Sequence, residues 1–285
     1  MLGASHQGSW YPSGKELDQM LQGTLAEVHF KPEPGNLRAI IVPHAGYRFC
    51  LKTSLHAFAQ VDPNNYDRVV VLGPSHRIRI KCCTIADAKS AETPYGPIPF
   101  DTTMADELTT KHPDYFEKLD IQTAEIEHSL EMEFPLLKFI FKQKPFSIVP
   151  IMVGRINPET CASIAELLRP YYNNNRTLFV ISSDFCHWGQ RFHFTYLPDG
   201  PGKIYERIEK LDRQATDCIA TGDPSKFSEY IYETHNTICG RFPILIMMNL
   251  VKGMKASFPH YSHSSNITSM DDSCVSYMAA VIRTD

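Results

Sequence analysis

Apolar residues follow two rhythms along this chain. Four short runs, at 38–42, 68–72, 146–153 and 177–182, are rich in Val and Ile and bounded by turn-forming residues. Runs of that length and composition predict strands buried on both faces, as in the sheet of an α/β protein. A fifth run, 273–282, alternates more and predicts a strand near a sheet edge. The second rhythm is helical. Leu17, Met20, Leu21 and Leu25 follow Ser13 and Glu16, the spacing of a capping box. Asn157 with Pro158 and Asp223 with Pro224 read as helix starts, the first ahead of Ile164, Leu167 and Leu168, the second ahead of Phe227, Tyr230 and Ile231. Ile204, Ile208, Leu211 and Ile219 mark a longer amphipathic helix that Gly222 ends. The stretch with Pro94, Pro97 and Pro99 predicts a surface loop or hairpin. Strands and helices alternate without an internal repeat or low-complexity linker, which predicts one α/β domain over residues 1–285.

Charge and composition act by exclusion. Lys and Arg number 28 against 32 Asp and Glu, a formal net charge of −4. A mildly acidic chain with no basic run lacks the footprint of a nucleic-acid partner. The longest uncharged apolar stretch, 242–251, has about ten residues against the roughly 20 that a membrane-spanning helix needs, so no membrane insertion is expected. The first residues show neither a positively charged nor an apolar leader, and the expected compartment is cytoplasmic. In that reducing setting the 8 cysteines read as buried thiols, or one reactive or metal-ligating thiol, rather than as disulfides. The 12 histidines add many further metal-ligand atoms.

Three of the predicted strands run directly into a histidine: the first into His44, the second into His76, and the fourth into Asp184 and His187. Ligands of open α/β sheets bind beyond the carboxyl ends of the strands, so these imidazoles can converge although they lie far apart in sequence. Each alone reads as well as a loop histidine bonding a carbonyl; three together favour a shared task. Asp184 and His187, three residues apart, can share one side of a turn, where a carboxylate would orient the imidazole and raise its pKa for proton transfer. A turn-capping Asp beside a packed His is the plainer alternative. Cys239 precedes a strongly apolar helix expected from about Pro243 to Lys252, with Arg241 close by. A helix N-terminus and a positive charge favour the thiolate, which is both a nucleophile and a soft metal ligand, although a buried inert Cys fits equally. His128, ahead of the stripe Leu130, Phe134 and Leu137, is a weaker candidate. Cys82 and Cys83 would point to opposite faces of a strand, which disfavours a shared metal. No P-loop, GxGxxG, GxSxG or HExxH is present.

The segments SHQGSWYP at 5–12, PHAGY at 43–47, LGPSH at 72–76, EHSLE at 127–131, SSDFCHWGQ at 182–190, NTICGRFP at 236–243 and DSCVSY at 272–277 closely resemble the Memo family, mediators of receptor-tyrosine-kinase-driven cell motility. The resemblance runs in order along nearly the whole chain. It implies an α/β fold with a central, mostly parallel or mixed sheet flanked by helices, similar to class III extradiol dioxygenases. It further implies a metal site at His44, His76 and Cys239, with His187 and Asp184 beside it as catalytic groups and with Trp10, His128 and Arg241 as ligand-binding residues. Extradiol dioxygenases hold iron(II) with two His and a carboxylate, whereas Cys239 takes the third position here. Two imidazoles and a thiolate suit iron or copper, with zinc as a further fit. Two functions follow from the resemblance. One is metal-dependent oxidoreductase chemistry on oxygen or a small molecule. The other is a non-enzymatic signalling adaptor that binds a phosphotyrosine peptide or receptor tail in the same cleft, with Trp10 as a wall and His44, His76 and His187 as phosphate donors. A metal-free hydrolase with Cys239 as nucleophile and His187 as base is a third reading of the residues.

Overall fold

Among the residues described by the computed structural model, 1–31 and 33–285, nine strands join one mixed sheet. The chain passes through α1 (Gly14–Ala26), β1 (Asn36–Val42), α2 (Tyr47–Phe58) and β2 (Arg68–Pro74). An excursion follows with β3 (Cys83–Ala86), β4 (Ser90–Ala91), β5 (Ile98–Pro99), α3 (Thr102–Lys111), β6 (Phe116–Leu119) and the short α4 (Ile121–Glu125). Next come α5 (Phe134–Phe141), β7 (Ser147–Val153), α6 (Pro158–Tyr172), β8 (Thr177–Ser182) and the two-residue β9 (His187–Trp188). The last elements are α7 (Ile204–Ala220), α8 (Pro224–Thr234), α9 (Arg241–Leu250), β10 (Lys255–His263) and β11 (Cys274–Thr284).

The sheet order is β10-β11-β1-β8-β2-β7-β3-β6, with β9 added to β11. Strands β1, β8, β2 and β7 are mutually parallel, while β11, β10 and β3 run antiparallel to neighbours. Ile41 lies beside Ile181, Ile181 beside Leu72, and Leu72 beside Ile151, a row fully buried on the face covered by α6, α7 and α9. The next row, Ile40, Val180 and Val71, faces α1, α2 and α5 on the other side. Alternate side chains thus feed two cores, which is why these strands carry no polar phase. Each such side chain contributes about 1.5–3 kcal/mol by leaving water.

Some expectations need correcting. The strand expected near a sheet edge is β11, interior between β10 and β1 and almost wholly buried. The edge belongs instead to β10, which the hydrophobic pattern did not announce. That strand is half-buried along most of its length and carries Pro259 inside its register shift, where a missing N–H is tolerated. Ser13 makes no capping hydrogen bond: Gly14 takes a φ of +54° at the first helical position, which takes the Ser13 hydroxyl out of capping geometry. By contrast Asn157 and Asp223 do cap α6 and α8, and Gly222 follows α7 with a φ of +70°. The stretch around the prolines near 94–99 is a small hairpin, in which Pro94 and Pro97 lie between β4 and β5 and Pro99 pairs with Ser90. Helix α9 begins at Arg241, two residues earlier than Pro243 suggested.

Candidate metal centre

Parallel strands that end together deliver their following loops to one crevice. His44 lies two residues past β1, His76 two past β2, and Asp184 two past β8. Ligand atoms of His44, His76 and His128 all lie within 4.8 Å of one another. Cys239 joins them, its Sγ 3.3 Å from His44 Nε2 and in contact with the His76 imidazole. His128 is therefore nearer the centre than its sequence context suggested. Its ring stacks on His76 at 4.7 Å, and the His44 ring stands nearly perpendicular to both.

The remote nitrogen of each of two imidazoles is engaged from outside the cluster. His44 Nδ1 lies 2.8 Å from Ser182 Oγ, whose single proton has the Ser129 carbonyl at 2.6 Å and Glu133 Oε1 at 2.8 Å within reach. His76 Nδ1 lies 2.9 Å from Glu127 Oε1, and the Glu127 carboxylate also accepts from the backbone N–H of His76 and of Ser129. These contacts fix the rings and leave Nε2 of each facing inward, the arrangement found around metal-binding histidines. His128 Nδ1 is buried without a well-aligned hydrogen bond, its nearest acid being Glu127 Oε1 at 3.3 Å. Three imidazoles and a thiol with ligand atoms this close form a donor set that could hold a cation.

Titration within the cleft follows from burial and crowding. Burial, then the charges of His76, His128 and His187, hold His44 well below the usual imidazole range. Burial and His76 push His128 down to about 3. At His76 burial acts the same way, but Cys239 and Glu127 outweigh it and hold the imidazolium up at about 10. Glu127 correspondingly falls to about 2, its own burial being overcome by His76. Near neutral pH the cluster thus carries one positive imidazole paired with one carboxylate, and two neutral imidazoles.

The Asp184–His187 pair does not form. The Asp184 carboxylate accepts from the backbone N–H of His44 at 3.0 Å and of Ala45, tying the β8 loop to the β1 loop. Burial, offset by those bonds, leaves Asp184 at about 7. His187 instead gives Nδ1–H to the Phe185 carbonyl at 3.0 Å, and its backbone is clamped on both sides by Thr237 Oγ1. Burial takes this imidazole down to about 4, so it is neutral with a free Nε2. Nor is Cys239 the activated thiolate expected at a helix entrance. Burial raises its pKa despite His76, and its hydrogen bonds run to His44 and Asp184 rather than to His187. Arg241 is close enough for Cys239 to feel its charge, with its guanidinium over the Phe242 ring at 4.8 Å.

The Trp10 ring lies 4.3 Å from that of His128. It is held there by Glu131, which pattern reading missed. That carboxylate accepts from His6 N at 2.9 Å and Tyr11 OH at 2.8 Å and faces His6 Nδ1 at 2.7 Å, fastening the first segment across the cleft. Glu127 was missed in the same way. The one sequence signal for both was a pair of acids flanking His128 in EHSLE.

The fold and cleft define an α/β protein with a cluster of histidines and one cysteine at the carboxyl edge of its parallel strands. Comparison with known proteins makes that class specific. The pattern of the family described as Memo-like protein matches residues 3–281. The protein MEMO1 of Rattus norvegicus is 39% identical over 289 residues, covering 98% of this chain and 96% of its own length. MEMO1 of Homo sapiens is 38% identical with the same coverage, and the memo-1 homolog of Caenorhabditis elegans is 39% identical over 98% of this chain and 81% of its own. The chain belongs to the Memo family. An uncharacterized protein of Escherichia coli K12 shares the fold, with a TM-score of 0.53 and 11% identity over 85% of this chain and 99% of that one. Among the described residues no helix is long and apolar enough to cross a membrane.

Proposed function

We propose that this Memo-family chain is a cytoplasmic metal-dependent oxidoreductase holding one iron or copper ion through His44, His76 and Cys239. The observation that carries this reading is the convergence of His44 Nε2 and Cys239 Sγ at 3.3 Å, with the outer nitrogens of His44 and His76 anchored by Ser182 and Glu127. His128 offers a further donor, its ligand atom within 4.8 Å of those of His44 and His76. Two imidazoles and a thiolate select a soft or borderline metal, which excludes calcium and magnesium and leaves zinc as the redox-silent competitor. A bound iron or copper ion would supply one-electron chemistry and open positions for oxygen or a small molecule.

The chain's own groups have separable tasks in this reading. Glu127 and Ser182 keep the ligand rings in place, and Asp184 holds the His44 loop to the β8 loop. His187, neutral with a free Nε2, takes or delivers a proton; Trp10 closes one side against water. Metal content of anaerobically purified protein tests the proposal. About one equivalent of iron or copper, lost in Cys239→Ser and in His76→Ala, supports it; protein that neither carries nor takes up either metal overturns it.

A second reading has its own support: the cleft holds a protonated His76 stacked on His128, which in turn lies 4.3 Å from the Trp10 ring, and an imidazolium next to aromatic groups suits the phosphate and ring of a phosphotyrosine. As an adaptor in receptor-driven motility the protein would bind a phosphorylated peptide after metal removal. Equal affinity for the unphosphorylated peptide would sink that role.

A further inference from the structure

At the opposite end of the sheet, around the starts of β1 and β8, a polar cavity of about 420 Å³ is lined by Arg38, Arg283, Arg176, Asn36, Gln60 and Asn175 among others. Arg38 is 3% exposed and Arg283 9%. Arginine does not shed its proton inside proteins, so each brings a buried positive charge. Their partners are all neutral. Arg38 donates to Asn175 Oδ1 at 2.6 Å and to the Tyr172 carbonyl; Arg283 donates to the Gly35 carbonyl at 3.1 Å and to Gln60 Oε1 at 3.3 Å. The Nε of each is buried without an acceptor. Four other arginines pair with acids: Arg68 with Asp101, Arg169 with Glu166, Arg176 with Asp67 and Arg213 with Glu209.

The backbone is shaped around this pair. Arg38 occupies the register shift between Leu37 and Ala39, where a bulge re-aims one side chain, and Arg283 lies opposite Leu37 on β11. Gly35, with a φ of +100°, sits so close to the Thr284 carbonyl that a Cβ would lie 2.6 Å from it, and this approach brings its own carbonyl to Arg283. One acid, Asp62, also lines the cavity, and its Oδ1 is taken up by the backbone and side-chain amides of Asn64.

We propose that this cavity binds a small phosphate monoester, its phosphate between the guanidiniums of Arg38 and Arg283 and its polar body against Asn36, Asn65 and Gln60. Two buried guanidiniums that pair with no carboxylate, one of them over the Tyr172 ring, match a dianion and its fork of oxygens better than a monocarboxylate. The volume falls in the range of small-molecule sites, about 300–1,000 Å³, rather than that of a lone ion. The site is separate from the histidine cleft and does not depend on metal there.

Isothermal titration with inorganic phosphate and with glycerol 3-phosphate, at constant ionic strength, tests this against two substitutions that place a carboxylate on each guanidinium without emptying the cavity. Asn175→Asp neutralises Arg38 and Gln60→Glu neutralises Arg283. Saturable binding of both ligands, tighter for the ester, is expected, with at least a tenfold loss in either variant and a higher thermal midpoint of the ligand-free variants that shows they fold. His76→Ala should leave this binding intact. Absence of saturable binding, indifference to both acidic substitutions, loss in His76→Ala, or binding confined to phosphatidic acid vesicles would each overturn the proposal.

Discussion

Asp212, on α7, is fully buried and sets the pH dependence of this fold in a way that one substitution can isolate. Its Oδ1 accepts from Cys186 N at 3.3 Å and Asn236 Nδ2 at 3.1 Å, and its Oδ2 from Tyr261 OH at 3.0 Å and from Ser276 Oγ. It thereby joins the segment entering His187, the loop leading to Cys239, and strands β10 and β11. Burial raises its pKa from 3.8 to about 6, the four donors pulling the other way. A carboxyl whose folded pKa exceeds its unfolded value stabilises the fold while both states are protonated, and that stability drains as pH rises through the folded value. At 1.36 kcal/mol per pH unit the full loss is about 3 kcal/mol, of which about 2 kcal/mol falls between pH 4 and pH 7.

In Asp212→Asn the charge cannot form. The amide oxygen can keep the two N–H donors, while the amide nitrogen can donate to the Tyr261 and Ser276 hydroxyls, which also accept. Urea denaturation of chelator-treated wild-type and variant protein at pH 4, 5, 6 and 7 reads the difference, in which all other titrations cancel. The variant should gain about 2 kcal/mol relative to wild type across that range. A difference that stays constant with pH would show that the folded and unfolded states hold the same number of protons at this carboxyl over the range, so that burial does not raise its pKa, and would refute the assignment.

Three further substitutions probe the cleft. Gly240→Ala would put a Cβ 2.3 Å from Ser183 Cβ and 2.8 Å from the Ser182 carbonyl, forcing apart the loops that carry Cys239 and Asp184; a loss of about 1–3 kcal/mol by denaturant titration is expected, together with loss of metal stoichiometry. In chelator-treated Glu127→Gln, the His76 pKa followed by NMR should drop from about 10 toward or below 6.5, because burial then acts with less opposition. Stability contributed by this pair is present above the ordinary Glu value of 4.5 and below the ordinary His value of 6.5, and is lost as pH falls through about 2 or rises through about 10, so the variant's deficit should be largest near pH 5 to 6. Ser182→Ala removes the hydroxyl between His44 Nδ1 and the buried Glu133, leaving both without that partner; a cost of about 1–3 kcal/mol and weaker metal retention should appear, and unchanged stability would show that the link is dispensable.

How far the sequence discloses this site depends on the range of the contact involved. His44 and His76 could be nominated because a strand buried on both faces has to end at the crevice, and the continuous Val and Ile runs mark those ends. Cys239 could be nominated from the apolar helix behind it. What spacing misjudged was pairing. Asp184 and His187 are three apart, but residues 183–186 do not form a helical turn, so spacing that aligns two side chains on a helix does not align them here. The carboxylate answers two backbone amides at 44 and 45 instead, a partnership 140 residues long in the chain. Glu127 reaches His76 across 51 residues and Glu131 reaches His6 across 125, and no local pattern encodes either. The same holds for the thiol of Cys239. A helix entrance and a neighbouring arginine argue for ionisation, but burial between the β8 and β1 loops argues against it and wins, so any thiolate at this position has to be stabilised by what binds there. Within the cleft His76 supplies one positive charge that Glu127 neutralises, and the Cys239 thiol stands 3.3 Å from His44 Nε2, so a cation entering here would take the place of the thiol proton.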